Sequence, residues 1–399
     1  MEFNLKDLVN IKYGKNQKNV KNPRGEYPIL GTGGIMDYAD DFLYDKPSVL
    51  IGRKGSIGKV KYIEEPFWTI DTLFYTIVNE NLVIPKYLYY KLSQIDFNYY
   101  NEGTTIPSLR TETLYKIDID LPKKNIQKKV VNLLNTIDEK IENNQKIIAN
   151  LEELSQTLFK RWFVDFEFPD ENENPYKSSG GKMIDSELGE MPELWSVKNI
   201  NELLKIYSGY AFKSKWWSDD GYNVIKIKDI NNNSIDITGL DKVNEIYVEK
   251  ASNFKVYGGE ILIALTGATA GKLGIVPKLK ELAFVNQRVG LITSNIDNVY
   301  IYHLLKSDRI RRLTLDQAIG SAQANISPVK FGSIKILWAD EKTIDRYCQL
   351  TRSNYEKIVE LYSENNDLIQ LRDTLLPKLM SGEIEIPDDI EVNEDELSI

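Results

Sequence analysis

Asp138-Glu139-Lys140-Ile141 returns 217 residues later as Tyr355-Glu356-Lys357-Ile358, and the same shift carries Leu151, Leu154 and Leu158 onto Leu368, Leu371 and Leu375. It also carries Gly103 onto Gly320, Leu109 onto Ile326 and Ile117 onto Ile334. Upstream the offset shortens, as loop insertions require. Lys54-Gly55-Ser56-Ile57-Gly58-Lys59 matches Thr266-Gly267-Ala268-Thr269-Ala270-Gly271-Lys272 at 212–213, Gly25 and Ile29 match Gly221 and Ile225 at 196, and Leu5 and Gly14 match Ile200 and Gly209 at 195. Matches in chain order over most of both halves mark one structural unit used twice, and a repeat has to be settled before any fold is assigned.

The second part of each unit reads as a helix. No Gly or Pro occurs from Lys123 to Phe168, with Pro122 and Pro169 as brackets, and the second such stretch runs from Glu341 to Leu376, ending at Pro377. Apolar residues fall at heptad spacing in both. The first seam is Val130, Leu134, Ile137, Ile141, Ile148, Leu151 and Leu158, interrupted by Asn144 and Ser155; the second is Ile358, Leu361, Leu368, Leu371 and Leu375, with Asn365 inside it. An apolar stripe needs a partner, and the nearest is the other helix of the same chain. A buried Asn in each seam would set register at some cost in stability; an ordinary bundle helix that tolerates a polar residue reads the same way.

The first part of each unit alternates short strands with glycine-bearing turns. Val49-Leu50-Ile51, Leu73 to Val78 and Ile117-Asp118-Ile119 look like strands in the first copy; Val224 to Ile227, Ile261-Leu262-Ile263 and Ile334 to Leu337 do so in the second. The expected fold is α+β: two mixed α/β domains separated by two long helices that form an antiparallel coiled coil, the whole a pseudo-two-fold internal repeat. The expected organisation is a first domain over 1–122, a spacer helix over 123–168, an acidic linker over 169–190, a second domain over 191–340, a second spacer helix over 341–380 and an acidic, disordered tail over 381–399.

Net charge is −9, which at first argues against nucleic acid. The acidity is confined, however: residues 165–190 carry −6 and residues 383–399 carry −8, leaving two nearly neutral bodies, each able to present a basic face. One cysteine, Cys348, excludes an internal disulfide and fits a reducing cytoplasm, and no apolar run is long enough for a membrane span.

Catalytic signatures fail one by one. Gly267 to Lys272 resembles a phosphate loop, but it has three residues between the glycines and Leu273 after the lysine, where the loop needs four and then Ser or Thr. Its counterpart around Gly55 departs in the same way, so a tight strand-to-strand turn is expected at both. A lone His303 and a lone Cys348 give neither a zinc site nor a nucleophile–base pair. Asn174-Pro175-Tyr176 lacks the second proline of the adenine-methylation motif, and no strand carries a nuclease set of acids and lysine.

Several stretches carry a family resemblance. Leu158-Phe159-Lys160-Arg161-Trp162-Phe163-Val164-Asp165-Phe166 closes the first helix, and Leu375-Leu376-Pro377-Lys378-Leu379-Met380-Ser381-Gly382-Glu383-Ile384 closes the second. With Tyr27 to Ile35, Gly320 to Ser327 and the order domain, helix, domain, helix, the chain resembles the specificity subunit of type I restriction–modification systems. In place of the second copy's Gly320-Ser321-Ala322-Gln323-Ala324-Asn325-Ile326-Ser327, the first reads Gly103-Thr104-Thr105-Ile106-Pro107-Ser108-Leu109.

The resemblance implies a non-catalytic, cytoplasmic subunit that reads a bipartite site in double-stranded DNA, with one target-recognition domain per half-site. It implies two methyltransferase subunits and motor-nuclease subunits as partners, with S-adenosylmethionine, ATP and Mg carried on those subunits and no cofactor or metal in this chain. Basic and amide residues in or beside loops are then the candidates for DNA contact. They are Lys15, Lys18, Arg24, Arg53, Lys54 and Arg110 in the first copy. In the second they are Lys213, Lys215, Lys228, Lys272, Gln287, Arg288 and Gln323. Two other classes compete: a protein-only scaffold, which would show no DNA affinity even with a methyltransferase present, and an enzyme, which would transfer methyl groups or cut DNA unaided.

Overall fold

The computed structural model describes residues 1–231, 233–318 and 325–387. It divides into two compact units, one running from Met1 to Glu139 and from Leu371 onward, the other from Lys140 to Gln370. The boundary falls inside each of the two long helices, Lys124–Phe163 and Glu341–Ser381, so each unit holds one globular domain and a stretch of both helices.

The two domains use one strand plan. In the first, an antiparallel sheet is ordered Val9–Tyr13, Leu73–Val78, Ser48–Gly52, Val60–Ile63. In the second, Leu204–Ser208, Val289–Ser294, Ile261–Ala264 and Leu273–Ile275 take the same order, extended by Asn233–Ile235 and Ile230–Asn231. The second sheet of the first domain is Gly34–Ala39, Tyr27–Gly31, Trp68–Thr69, paired antiparallel and then parallel. Its counterpart, Asp241–Val243, Tyr222–Ile225, Ala283–Val285, repeats that pattern and gains Trp217–Ser218 and Lys255–Val256 at its edges. In both domains the strand before the long helix pairs with the strand that opens the domain, Asp118–Asp120 with Glu2–Asn4 and Lys335–Trp338 with Ser196–Asn199.

Glycines show why the repeat survives in the sequence. A Cβ on Gly14 would lie 2.0 Å from the Ile70 carbonyl oxygen, and one on Gly209 would lie 2.3 Å from that of Val285, so both positions exclude any larger residue. The loops that resemble phosphate loops are the expected turns between strands: Gly55 and Gly267 have φ of +76° and +81°, Gly58 and Gly271 +83° and +90°, a region glycine alone enters freely.

Helices were missed. Pro85–Ser93 opens on a proline at its first turn, Asn298–Lys306 on an Asp297 cap, and both pack five or more buried side chains into their domains. At an offset of 213 they match each other, Tyr87 with Tyr300, Tyr89 with Tyr302, Tyr90 with His303. Their spacing is hard to read because each is only nine residues long: Asn298–Lys306 is buried on nearly every side, and Pro85–Ser93 interleaves Lys86 and Lys91 with buried tyrosines.

Four details differ from expectation. The first long helix stops at Phe163, because the chain turns at Phe166 (φ +63°) to send Phe166 and Phe168 onto Trp195, at ring distances of 5.4 and 5.5 Å. Residues 169–190 are more than a linker: Met183–Ser186 pairs with Gly189–Pro192, and Tyr176 stacks on Phe168 at 4.7 Å. The second helix passes through Pro377 and ends at Ser381, before Gly382 with φ +77°. A proline four residues from a helix end sacrifices a single backbone bond, while a left-handed glycine terminates it. In the second domain the strand expected to reach Ile227 ends at Ile225, and Ile227–Asp229 is a 3₁₀ turn.

Within the second unit the two long helices lie side by side in opposite directions. Asn144 Nδ2 donates to Asn365 Oδ1 (3.0 Å) and Glu364 Oε2 (2.9 Å), while eleven residues on, Asn354 Nδ2 donates to Ser155 Oγ and the Tyr347 hydroxyl to the Ser155 carbonyl. Ile141, Asn144, Ile148, Ile358, Leu361 and Asn365 are buried there, Leu151, Leu158 and Leu368 half-buried. In the first unit Ile137 is buried and Leu375 half-buried, and Asp138 meets Arg372 at 3.0 Å. Leu154 and Leu371, equivalent in the repeat, are instead 62% and 48% exposed.

Candidate nucleic-acid interface

In the first domain a turn over residues 69–72 gathers several of the candidates. Lys15 donates its backbone N–H to the Thr69 carbonyl, and Arg53 and Lys54 donate theirs to the Thr72 carbonyl. The Arg53 guanidinium is held by the Asp71 carbonyl at 2.9 Å and lies 4.8 Å from the centre of the Tyr13 ring. Leu109 donates to the Arg53 carbonyl, so Arg110 follows directly; its Nε is 3.1 Å from Glu102. Lys18 and Arg24 lie apart, exposed on a loop tied to Asn16 and Asn22.

The equivalent turn in the second domain carries Gln287 and Arg288, both exposed. Arg288 accepts from the Leu265 amide through its carbonyl as Thr72 does from Arg53, and Gln287 bonds to Tyr210 and Ser208. Tyr210 leads to an aromatic stack: Trp216 is parallel to it at 6.3 Å and to Tyr247 at 4.9 Å, with the Lys213 ammonium 5.4 Å from the Trp216 ring. Lys215 is exposed on the same 3₁₀ turn. Lys272 lines a cleft of about 430 Å³ together with Asn233, Lys306 and Arg311. Lys228 is brought to none of these groups. Its ammonium and that of Lys226 each sit 2.9 Å from Asp241, which raises the Lys228 pKa and lowers that of Asp241, and a paired lysine is poorly placed to take a phosphate. Gln323 lies outside the described residues.

The only histidine of the sequence has a structural place. His303 is 1% exposed, its Nδ1 is 2.8 Å from the Tyr347 hydroxyl, and burial, reinforced by the Lys306 charge, pushes its pKa down to about 3. Burial also pushes the Cys348 thiol up to about 12, where it is unreactive at neutral pH. Among the described residues no group of three or more His, Cys, Asp or Glu is placed to hold a metal, and no helix is long and apolar enough to cross a membrane.

The doubled strand plan has a counterpart among known families. A model described as the type I restriction modification DNA specificity domain matches residues 1–153 and again residues 192–337, three quarters of the chain and one match per copy. The chain belongs to this specificity-domain family. It is 26% identical to the type I restriction enzyme MjaIX specificity subunit of Methanocaldococcus jannaschii, over 96% of this chain and 86% of that one. To the HindI specificity subunit of Haemophilus influenzae it is 23% identical, over 79% and 81%. The crystal structure of a type I restriction–modification S subunit from M. genitalium shares the fold with a TM-score of 0.59 and 21% identity, covering 95% of both chains.

For a specificity subunit, sequence reasoning passed over several side chains on the same surfaces. Arg311 and Asn233 join Lys272 only through the fold, being about 40 residues to either side. The Lys226 ammonium stands 3.5 Å over the Trp217 ring. Lys213-Ser214-Lys215-Trp216-Trp217 did offer a signal, since basic residues interleaved with aromatics mark stacking platforms for nucleic acid.

Proposed function

We propose that this chain is the non-catalytic DNA-reading subunit of a type I restriction–modification enzyme, with each domain addressing one half of a bipartite duplex site. The observation that carries the reading is the pair of equivalent turns, 69–72 and 285–288, set on one strand plan but bearing different side chains. Backbone geometry repeated with side chains changed is what two readers of different half-sites require, because base edges are read by side chains while phosphates hold register. Lys15, Lys18, Arg24, Lys54, Lys213, Lys215 and Lys272 are proposed for phosphates, and Arg53, Arg110, Gln287, Arg288 and Gln323 for base edges. Linking two weak readers raises affinity through effective concentration, so neither domain need bind tightly alone.

The helices are proposed to act as an antiparallel coiled coil that spaces the readers and docks two methyltransferase subunits and, in the full assembly, motor-nuclease subunits. The partners would bring S-adenosylmethionine, ATP and Mg, and would flip the target adenine. The cytoplasm, where chromosomal DNA is met, is the proposed location.

The test is reconstitution with the cognate methyltransferase. The two together methylate a bipartite site and neither does so alone; sequence-specific methylation without this chain would sink the reading. Exchanging residues 1–122 for a relative's domain replaces one half-site and leaves the other. Inserting four residues near Asn144 and four near Asn365 adds about 6 Å of helix, or roughly two base pairs of unread spacer. An unchanged spacer in an active variant removes the helices as the ruler.

A further inference from the structure

The edge strand Gly34–Ala39 of the first domain carries side chains that neither the core nor the candidates above account for. Ile35 and Met36 are adjacent in sequence, yet each is 57% exposed, with Tyr38 beside them at 41%. A regular strand would turn one of two neighbours inward. Here the pairing slips between Ile29 and Leu30: Ile29 faces Asp37, Leu30 faces Ile35, and Met36 is the extra residue of a β-bulge. Gly31 makes room for it, since a Cβ there would lie 2.4 Å from the Met36 sulfur. Gly34, at φ +128°, closes the hairpin over an exposed Gly33 with open space around it.

Cations flank this apolar strip at both ends. By the hairpin turn, the Lys61 ammonium is 3.4 Å from the Gly31 carbonyl oxygen; Ile70 donates to the Leu30 carbonyl, in the same turn that holds Lys15 and Arg53. At the other end Lys21 bridges to Ala39 but is neutralised by Asp37, so the cation there is exposed Arg24, three residues on. A hairpin at a sheet edge, with apolar side chains beside its turn and cations at both ends of the strand, matches a major groove, whose floor presents thymine methyl groups and whose walls are phosphates. The second domain lacks the device: its equivalent strand, Asp241–Val243, is covered by Trp217–Ser218.

Resting on the DNA-reading function above, we infer that Ile35 and Met36 form a methyl-reading tip, which packs on the C5-methyl of a thymine in the half-site of the first domain. Burying one methyl against them is worth about fourfold in affinity.

The experiment takes the full chain assembled with its methyltransferase and replaces each thymine of the site by deoxyuridine in turn, which removes the methyl alone. Competition binding is expected to show a loss of about fourfold at one thymine of the first half-site. Ile35→Ser and Met36→Ser, both at exposed positions that the fold does not need, lower affinity for the parent site and abolish that sensitivity, while leaving the second half-site untouched. Equal tolerance of deoxyuridine everywhere, or a sensitivity that survives both variants, overturns the inference. So does loss of methyltransferase from the variants with unchanged deoxyuridine response, which makes the strip a protein contact. A wild-type assembly with no sequence preference at all brings down the DNA-reading function itself, a different failure from a specific complex that ignores the methyl.

Discussion

The helix Pro85–Ser93 in the first domain and Asn298–Lys306 in the second occupy the same place in their copies, yet each binds the long helices with different chemistry. In the first, the Tyr90 hydroxyl donates to Asp138 at 2.7 Å, and Arg372 meets the other oxygen of that carboxylate at 3.0 Å. In the second, Tyr90 is replaced by His303, and the ionic contact moves to Glu152, which takes the Tyr302 hydroxyl at 2.6 Å and Lys306 at 2.8 Å. The carboxylate of Glu152 is the more deeply buried, with 14% of its side chain exposed against 28% for Asp138. Duplication thus preserved the backbone frame and left the polar bonds free to be rebuilt wherever the two helix faces differed.

The anchors offer the largest effect. Glu152→Ala strands a half-buried lysine and is expected to cost the second unit about 3 kcal/mol, whereas Asp138→Ala costs the first about 1–2 kcal/mol. Denaturant unfolding of both variants checks this; equal losses would mean that burial does not separate the two anchors.

The His303 and Tyr90 exchange predicts a difference in acid. The folded imidazole titrates near 3 and the unfolded one near 6.5, so below 6.5 the unfolded chain binds a proton that the folded chain refuses. Stability therefore falls as pH drops from 6.5 toward 3, by about 2–3 kcal/mol between pH 6.5 and 4. The second unit should carry this slope, and His303→Gln should flatten it. An unchanged slope in that variant would place the acid sensitivity elsewhere.

On the reading surfaces the expected effects are smaller and of two kinds. Arg288→Ala should cost about 1–3 kcal/mol at the right site and relax discrimination at one base pair of the second half-site. Lys15→Ala should weaken all sequences alike and reduce the salt slope by about one unit. Competition across single-base variants, repeated at several salt concentrations, distinguishes them; uniform weakening by Arg288→Ala would move that residue to the phosphate contacts.

Much of the frame was legible in the sequence because it depends on positions that admit few residues. Gly14 and Gly209 face carbonyls that leave no room for a side chain, and Gly55, Gly58, Gly267 and Gly271 need positive φ, so the copies kept them and the repeat could be aligned. The helices Pro85–Ser93 and Asn298–Lys306 escaped notice for the opposite reason: each spans nine residues, the second is buried on most sides, and the first interleaves Lys86 and Lys91 with buried tyrosines, so neither shows a clear period of 3.6. Lys228 looked like any loop lysine until Asp241, thirteen residues on, was found at 2.9 Å.

What the sequence by itself determined is the doubled architecture, the long helices and the absence of catalytic motifs. All three follow from local rules: which residues tolerate a turn, which spacing suits a helix, which short patterns hold a phosphate or a metal. Only the tertiary structure decided which candidate side chains stand together around turns 69–72 and 285–288, that His303 is a buried neutral partner of Tyr347, and that a one-residue bulge turns both Ile35 and Met36 outward. These depend on register between segments distant in the chain, and a slip of one residue reverses which face a side chain takes without leaving a mark on composition or spacing.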